Sequence, residues 1–247
     1  MKALVRDFHE LKEVIKAVKV NLEDISLNFD NQKINMAQAD RSLVSFIDLT
    51  VKASYFDEYE FPEKKTITLN AERFSKVLDK LDKNSKIWLE IKDNNLVITE
   101  FSDFKVDHTI PLLENPTSQE NPDIHNMKWI TEFTLKTEIF KKIIDKFKDA
   151  SSITISTTDN INFFNDNTSD FNSQAVVFQN DDALIDYNKQ PSKSRFSIEY
   201  LEKLIKFANP KIFENVKIYL STDFPLKMEF INDNIIAKVL LAPRVEE

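Results

Sequence analysis

The sequence predicts an α+β fold of antiparallel sheets with short helices on one face, arranged as two similar halves. Most apolar stretches alternate with a period of two, which is typical of strands with one buried face. Four stretches instead repeat their apolar residues every three or four positions, as amphipathic helices do. Each half also ends in the order helix, strand, strand, strand. With so many strands, antiparallel sheets that carry helices on one face are the natural architecture.

The first half opens with a helix, because its apolar residues recur at helical spacing between residues 8 and 19. The residues expected to point inward are Phe8, Leu11, Val14, Ile15 and Val18. A hairpin is predicted at 25–36, where alternation is interrupted by an Asp-Asn turn. The other elements of this half are strands at 43–51 and 65–69, a helix at 71–81, and strands at 87–91, 96–99 and 105–110.

The second half repeats this order of elements, although no repeat is visible at the level of residues. A strand at 130–135 precedes a helix at 138–147, whose inward residues are expected to be Ile139, Ile143, Ile144 and Phe147. Further strands are predicted at 153–155, 161–163, 174–178 and 183–187. A fourth helix at 198–207 and strands at 216–220, 226–231 and 235–241 complete the chain.

A segment at residues 111–129 joins the halves and contains three prolines and an acidic excess. Proline fixes φ, removes a backbone donor and favours an extended conformation of the residue before it. A long loop at the middle of a chain is functional or links two domains. We expect both, with an N-terminal domain at 1–111, a connector at 112–129 and a C-terminal domain at 130–247.

Composition excludes several kinds of chemistry. The 247 residues include no cysteine and no glycine, and the net charge is −8. Thiolate chemistry, disulfides and glycine-based phosphate loops are therefore impossible. Left-handed turn positions must be taken by Asn and Asp. No apolar run reaches the ~18–20 residues of a membrane span, and no signal peptide opens the chain, so a soluble intracellular protein is expected.

An enzymatic function has little support. The three histidines lie in different predicted elements and lack metal-ligand spacing, so no metal site is predicted. Glu90 and Lys92 fit the Glu-x-Lys part of metal-dependent nuclease sites. Strand alternation offers a simpler explanation, because it places Glu90 on the solvent face beside Trp88. A nuclease centred on Glu90 and Lys92 is kept as an alternative, and no catalytic residue is predicted.

The four predicted helices carry rows of basic residues, while the rest of the chain is strongly acidic. An ordinary solvated helix face accounts for such rows. Taken alone, the rows favour that explanation. The functional alternative is a surface that meets the phosphate backbone of a nucleic acid without reading its sequence. The candidate cations are Lys12, Lys16, Lys19, Arg73, Lys76, Lys80, Lys142, Lys146, Lys203, Lys206 and Lys211.

The C-terminal residues form a second candidate surface. Leu240, Leu241, Ala242 and Pro243 follow the last strand and leave apolar side chains with no further core to join. Exposed apolar patches often mark partner sites. The alternative is a tail that packs against its own sheet.

Four stretches of the chain resemble PCNA-type sliding clamps. Residues 241–247, Leu-Ala-Pro-Arg-Val-Glu-Glu, are similar to the C-terminal tail of these clamps. Residues 35–49, with Asp40 and a Val-Ser-Phe core, resemble a clamp segment, and the Phe-x-x-Tyr at 56–59 matches the motif that follows it. Asp-Phe-Pro-Leu at 223–226 is similar to the Asp-x-Pro-Leu of clamps. The resemblance covers essentially the whole chain.

This resemblance implies the DNA-clamp fold and a function without catalysis or cofactors. Two similar domains with outer sheets and two helices each, lining an inner face, would form a ring of three subunits around double-stranded DNA. The ring would bind DNA without sequence preference and would not involve a membrane. It would tether DNA polymerase, clamp loader, flap endonuclease and DNA ligase through PCNA-interacting peptides. The expected location is the cytoplasm for an archaeal or viral-type source, or the nucleus of a eukaryote.

The resemblance also implies site residues, by position. The peptide pocket would comprise Ala39, Val44, Phe46, Ile124, Pro225, Leu240, Leu241, Ala242 and Pro243. Subunits would pair through sheet edges, as unpaired edges invite. One edge would contain Lys105, Val106, His108 and Ile110, and the neighbouring one would contain Ala183, Leu184, Ile185 and Tyr187.

The chain departs from the clamp pattern at several positions. Asp79, Asp145 and Glu199 stand where clamp helices commonly carry basic residues, and Ala39 is smaller than the usual pocket residue. Identical or paralogous subunits would both be compatible with the ring. The nearest alternative is a clamp-like checkpoint or viral processivity subunit with a different oligomeric state.

Overall fold

The computed structural model describes residues 1–82, 85–114, 121–124, 126–165 and 172–244. The chain forms two compact units. Unit 1 contains residues 1–40, 47–121 and 233–236, and unit 2 contains residues 41–46, 122–232 and 237–247. The main crossing between the units lies within the predicted connector. The expected boundaries at 1–111, 112–129 and 130–247 stay a prediction. That prediction did not include two short segments that belong to the other unit than their neighbours in the sequence, residues 41–46 and 233–236.

Unit 1 contains two helices, nine strands of which the fourth lacks its first two residues, and the first two residues of a tenth strand. The helices are α1 (His9–Asn21) and α2 (Ala71–Lys80). A short 3₁₀ turn covers Ala53–Tyr55. The strands are β1 (Lys2–Val5), β2 (Asp24–Phe29), β3 (Lys33–Ala39), β4 (Ser45–Lys52), β5 (Glu58–Glu60), β6 (Lys65–Asn70), β7 (Lys86–Lys92), β8 (Asn95–Phe101) and β9 (Lys105–Pro111). The first residues of β18 (Ile235–Leu241) also belong to it.

Unit 2 has the same kinds of elements. Its helices are α3 (Thr137–Asp145) and α4 (Ile198–Leu204), and a 3₁₀ turn at Ile205–Phe207 continues α4. Besides the end of β18, its strands are β10 (Thr131–Lys136), β11 (Ser152–Thr157), β12 (Ile161–Phe164), β13 (Gln174–Val177), β14 (Leu184–Tyr187), β15 (Ser192–Ser197), β16 (Asn215–Leu220) and β17 (Leu226–Ile231).

Each unit pairs its strands into two sets, and the registers within each unit are antiparallel. In unit 1 the orders are β5-β1-β7-β8-β9 and β4-β3-β2-β6, and in unit 2 they are β13-β12-β11-β15 and β14-β10-β16-β17-β18. The strand β9 therefore ends one sheet and β14 ends another. Antiparallel neighbours can be joined by short hairpins, as β2–β3 and β7–β8 are here, which fits the hairpin predicted at 25–36.

The helices bury one apolar face each. All five inward residues predicted for α1 are buried, which confirms that pattern. In α3, Phe140 is fully buried, whereas Ile139 is half-buried, so the prediction for Ile139 is wrong. Large aromatic side chains fill much of the core of unit 2, including Phe133, Phe196 and Phe230. No described helix is long and apolar enough to cross a membrane.

Three strands were not predicted from the sequence: β1, β5 and β15. The strands β1 and β5 are four and three residues long, too short to show a period. In β15 the buried positions include Ser192 and Ser194, so its alternation is polar and hidden from a hydrophobic pattern. The predicted start of β4 at Leu43 is wrong, because Leu43 has a φ of 56° and the strand begins at Ser45.

Turns that glycine commonly serves are built here from other residues. Asp93 and Asn94 both have positive φ, 48° and 58°, and form the two-residue loop between β7 and β8. This is the arrangement of a type I′ hairpin turn, which Asn and Asp tolerate. Lys189 also has a left-handed backbone, with a φ of 55°. Lysine does not tolerate this conformation as Asn and Asp do.

We predict that Lys189→Gly stabilises the protein. Glycine removes the steric cost of a left-handed backbone, about 1–2 kcal/mol, against an entropic cost of about 0.5–1 kcal/mol. The melting temperature should rise by about 1–2 °C. The matched control is Lys86→Gly in β7, where the backbone is extended and the same change should lower it by about 1–4 °C. A lower melting temperature for Lys189→Gly in calorimetry would contradict this account.

Candidate functional site

The first candidate surface lies on α1 and α2 of unit 1, which pack against each other. The helix α2 begins at a capped end, because the side chain of Asn70 accepts a hydrogen bond of 3.0 Å from the backbone N–H of Arg73. Such a cap satisfies one of the unpaired donors of the first turn. Burial of Phe74 and Leu78 turns the charged residues of α2 outward.

Acidic residues of α2 pair with lysines of α1. The Asp79 carboxylate lies 3.5 Å from Lys12 Nζ and 3.3 Å from Lys16 Nζ. Lys19 Nζ lies 3.3 Å from the Glu72 carboxylate, which also pairs with Lys76 at 3.2 Å. Lys12, Lys16 and Lys19 are half-buried. The ion pairs therefore cross from one helix to the other.

The pKa values of these groups reflect the pairing. Partial burial acts to raise the pKa of the Asp79 carboxyl, but hydrogen bonding and charge from Lys16, with a contribution from Lys12, place it below its ordinary value. Lys16 donates a hydrogen bond of 2.9 Å to Glu13, and chiefly this bond raises the pKa of Lys16. Lys76 and then Lys19 lower the pKa of Glu72. The pairing therefore favours the charged forms of Asp79, Glu72 and Lys16.

Two other predicted cations of unit 1 are placed differently. Arg73 and Lys80 lie exposed on α2 and form no ion pair with any residue that the structure describes. The predicted cations of unit 1 thus fall into three kinds: those paired across the helices, Lys76 paired within α2, and Arg73 and Lys80 facing solvent.

In unit 2 the paired lysines have their partners on their own helix. Lys142 pairs with Glu138, and Lys203 pairs with Glu199 at 2.9 Å, each four residues away. Such pairs on a helix surface are worth only about 0.3–0.5 kcal/mol. The remaining predicted cations of this unit are exposed, and they are Lys146, Lys206 and Lys211.

The predicted peptide pocket divides into buried and accessible residues. Leu240 and Leu241 are 4% and 0% exposed, because they are the last two residues of β18. Of the two alternatives for the tail, the exposed one is therefore wrong for these two residues, and the packed one agrees with their burial. Phe46 in unit 2 and Ala39 in unit 1 are also buried. Half-buried residues of unit 2 remain for a surface, and they are Val44, Ile124, Pro225, Ala242 and Pro243.

Backbone contacts hold part of this surface together. The N–H of Ala242 donates a hydrogen bond of 2.8 Å to the carbonyl of Val44. The chain after β18 is thereby fixed beside the segment that precedes Phe46, and both belong to unit 2. Next to Val44, Leu43 is exposed in its left-handed conformation. Leu43 was predicted as the start of a strand but not as a residue of the peptide pocket. The available signal for the pocket was a leucine directly after the polar Arg-Ser pair.

Trp129 is a further residue that the sequence analysis missed. Its indole Nε1–H donates a hydrogen bond of 2.7 Å to the carbonyl of Pro225. Its ring packs edge-on against Phe224, at 5.7 Å between centroids. Lys227 Nζ lies 4.5 Å from the Trp129 ring and 3.6 Å from that of Tyr219. Trp129 therefore anchors the C-terminal end of the connector at a predicted pocket residue.

The predicted subunit edges coincide with end strands. In unit 1, β9 contains Lys105, Val106, His108 and Ile110, and its sheet ends there. In unit 2, β14 contains Leu184, Ile185 and Tyr187, and Ala183 lies just before it. Ile185 is 53% exposed, whereas Ile110 and Ala183 are buried. Each edge strand has one described hydrogen-bonded neighbour, and its other side is open for pairing.

The nuclease alternative gains no support. Glu90 is exposed on β7, opposite Lys2 of β1. Among the described residues, no three His, Asp or Glu side chains are grouped so that they could hold a metal ion. His108 approaches Glu100, at 4.0 Å, and His125 lies outside the described residues. Also outside lie residues 115–120 of the connector and 245–247 of the tail.

Comparisons with known proteins agree with this geometry. Residues 2–112 match the family model "Proliferating cell nuclear antigen, N-terminal domain". The chain is 25% identical to DNA polymerase sliding clamp 3 of Sulfurisphaera tokodaii, over the full length of both. It is 28% identical to a DNA polymerase sliding clamp of Methanococcus maripaludis, covering 98% of this chain and 96% of that one.

The chain is similar to PCNA-type sliding clamps over its whole length. Solved structures confirm the predicted fold. A chain of the PCNA2–PCNA3 complex from Sulfolobus tokodaii matches with a TM-score of 0.89 at 24% identity, covering 100% of both chains. PCNA from Entamoeba histolytica matches with a TM-score of 0.88 at 22% identity, covering 99% of this chain and 98% of that one. A sliding clamp is a processivity factor and not an enzyme.

We predict that Lys16→Gln raises the pKa of the clamp's Asp79 carboxyl toward its ordinary value of 3.8, because the main opposing charge is lost. A carboxyl with a lowered pKa in the folded protein stabilises it fully above the unfolded pKa. That contribution is lost as pH falls through the folded pKa, below 3.8 in this case. The measurement is the carboxyl ¹³C shift against pH. Lys189→Gln is the control, and an unchanged titration in Lys16→Gln would contradict the pairing.

Proposed function

We propose that this clamp encircles duplex DNA as part of a ring and tethers DNA-processing enzymes through short peptides. The observation that carries the proposal is similarity to DNA polymerase sliding clamps along the whole chain. Two open sheet edges, rows of cations on the helices and an apolar surface around Pro225 each supply one part that such a function requires. A clamp-like subunit of another oligomeric state has no specific observation in its favour.

Contact with DNA is assigned to the helices. Their cations would meet phosphates through charge alone, which gives binding without sequence preference. The net charge of −8 favours binding confined to the helices over binding across the whole surface. The proposed DNA-facing residues are those predicted from the sequence, Lys12, Lys16, Lys19, Arg73, Lys76, Lys80, Lys142, Lys146, Lys203, Lys206 and Lys211.

Ring closure is assigned to β9 of one subunit and β14 of the next. The two edges differ in sequence and belong to different sheets, so pairing between them is head-to-tail. Head-to-tail contacts form a closed ring when the rotation between subunits closes. The name of the PCNA2–PCNA3 complex describes a heteromeric assembly of a similar protein. We propose a trimer, made of this chain alone or with paralogous subunits.

We predict that Ile185→Glu prevents assembly, because a carboxylate must lose water when β14 pairs with another strand. Light scattering should show wild-type protein near three times 28.8 kDa, alone or with its paralogues. The variant should need at least tenfold more protein to assemble. Ile231→Glu is the matched control, since Ile231 is 51% exposed, similar to the 53% of Ile185, but lies at the end of β17. Normal assembly of Ile185→Glu would overturn the assignment.

Peptide binding is assigned to the surface around Pro225. Val44, Ile124, Ala242 and Pro243 would contact the peptide, with Phe46, Leu240 and Leu241 beneath them, while Ala39 of unit 1 stays a predicted contributor. An apolar groove of this kind receives a short helix that carries aromatic anchors. The proposed partners are DNA polymerase, the clamp loader, flap endonuclease and DNA ligase. The location would be the compartment that holds the DNA, the cytoplasm in an archaeon.

We predict that Trp129→Phe weakens peptide binding about three- to tenfold. The change keeps a ring but removes the hydrogen bond to the Pro225 carbonyl, worth about 1 kcal/mol. The measurement is fluorescence anisotropy with a labelled PCNA-interacting peptide. The control is Trp88→Phe, at the other tryptophan of the chain, which lies half-buried on β7. Equal affinity for both variants would show that Trp129 does not position the pocket.

A further inference from the structure

We propose that Asp79 and Glu72 withhold the lysines of α1 from DNA, so that unit 1 contacts phosphates mainly through Arg73 and Lys80 of α2. The inference rests on the proposed contact between the helices and DNA. It separates cations that look equivalent in the sequence into two classes. Asp79 thereby sets how many charges this subunit offers to a phosphate backbone.

The geometry of Asp79 supports this separation. Its carboxylate is shared by Lys12 at 3.5 Å and Lys16 at 3.3 Å, and Lys12 Nζ also donates a hydrogen bond of 3.4 Å to the backbone carbonyl of Asp79. Lys16 has a second carboxylate partner in Glu13. A phosphate would have to replace several oxygen contacts at once, whereas an unpaired cation exchanges only water and small ions.

The burial of the lysine side chains also supports the separation of the cations into two classes. The Lys12 side chain is 19% exposed and that of Lys19 is 26% exposed, so their stems lie against the protein. Lys76, which shares Glu72 with Lys19, is 68% exposed. Ion pairs that are partly removed from water are screened less by salt than exposed ones. The lysine ends of these pairs are shielded, whereas the carboxylates of Asp79 and Glu72 are 42% and 51% exposed, so the pairs should compete with phosphate best at low salt.

The helices of unit 2 provide an internal comparison. Their paired lysines, Lys142 and Lys203, have partners four residues away on the same helix. Lys142 is 64% exposed. Exposed pairs within a helix are weak and yield easily to a competing anion. The pairs that cross from one helix to the other, Lys12 and Lys16 with Asp79 and Lys19 with Glu72, lie in unit 1.

The test compares Asp79→Asn with wild type in the assembled clamp. The probe is a fluorescein-labelled 30-base-pair duplex, followed by anisotropy from low to moderate NaCl. Each newly neutralised phosphate steepens the slope of log K against log salt by about 0.9. Release of Lys12 and Lys16 should steepen it by about one to two and tighten binding severalfold at low salt. Glu63→Gln, an exposed acid on the loop between β5 and β6, is the control for net charge.

Variants of the lysines decide whether the release of Lys16 causes the change in DNA binding of Asp79→Asn. Lys16→Gln should weaken DNA binding more in the Asp79→Asn background than in wild type, where Asp79 already pairs with Lys16. Lys80→Gln should weaken it in both. An effect of Lys16→Gln that is equally large in the two backgrounds would overturn the inference. So would an Asp79→Asn slope equal to that of Glu63→Gln.

Different results would contradict the proposed function itself. If neither Lys80→Gln nor Lys142→Gln alters binding, or if the wild-type clamp does not bind the duplex at all, the helices are not the DNA surface. That result would remove the inference together with the function on which it rests. Thermal melting of each variant excludes loss of folding as the cause.

Discussion

The open backbone edge of an end strand is the constraint on which the proposed assembly depends. A strand within an antiparallel sheet satisfies its N–H and C=O groups on both sides, whereas an end strand does so on one. Here β9 ends one sheet and β14 ends another. Isolated edges of this kind invite pairing with other chains. The proposed assembly would pair these two edges of successive subunits in a closed series.

Charge is distributed so that an acidic chain can still approach DNA. The helices present exposed lysines and arginines, while acids dominate the rest of the sequence. The cross-helix pairs of Asp79 and Glu72 moderate the charge of unit 1. A moving clamp needs contacts that are weak and easily exchanged. Partial neutralisation of its cations is compatible with that requirement, since each phosphate contact adds to affinity and salt dependence.

Much of the fold could be predicted, because apolar periods in α1, α2 and most strands are strong. The order helix, strand, strand, strand in each half was also visible. Strands without an apolar period were not predicted. An example is β15, where serines occupy buried positions. The left-handed conformation of Leu43 was equally hidden, since leucine does not signal positive φ as glycine does.

The site was less predictable than the fold because it depends on tertiary contacts. Lysine spacing identified the basic helix faces but could not show that Asp79 lies between Lys12 and Lys16. The sequence left open whether Leu240 and Leu241 are exposed or packed, and only the structure shows that they are buried as the last residues of β18. Trp129 contacts Pro225 from a position 96 residues away, which no local pattern reveals.

The central claim is that the clamp is topologically linked to DNA. The most direct measurement loads the complete clamp, with its loader and any paralogous subunits, onto a nicked circular plasmid and then linearises the DNA. The account predicts that the clamp stays with the circle at high salt during gel filtration and is lost after linearisation, since an encircling ring slides off a free end. Equal retention on circular and linear DNA, or equal loss from both, would contradict it.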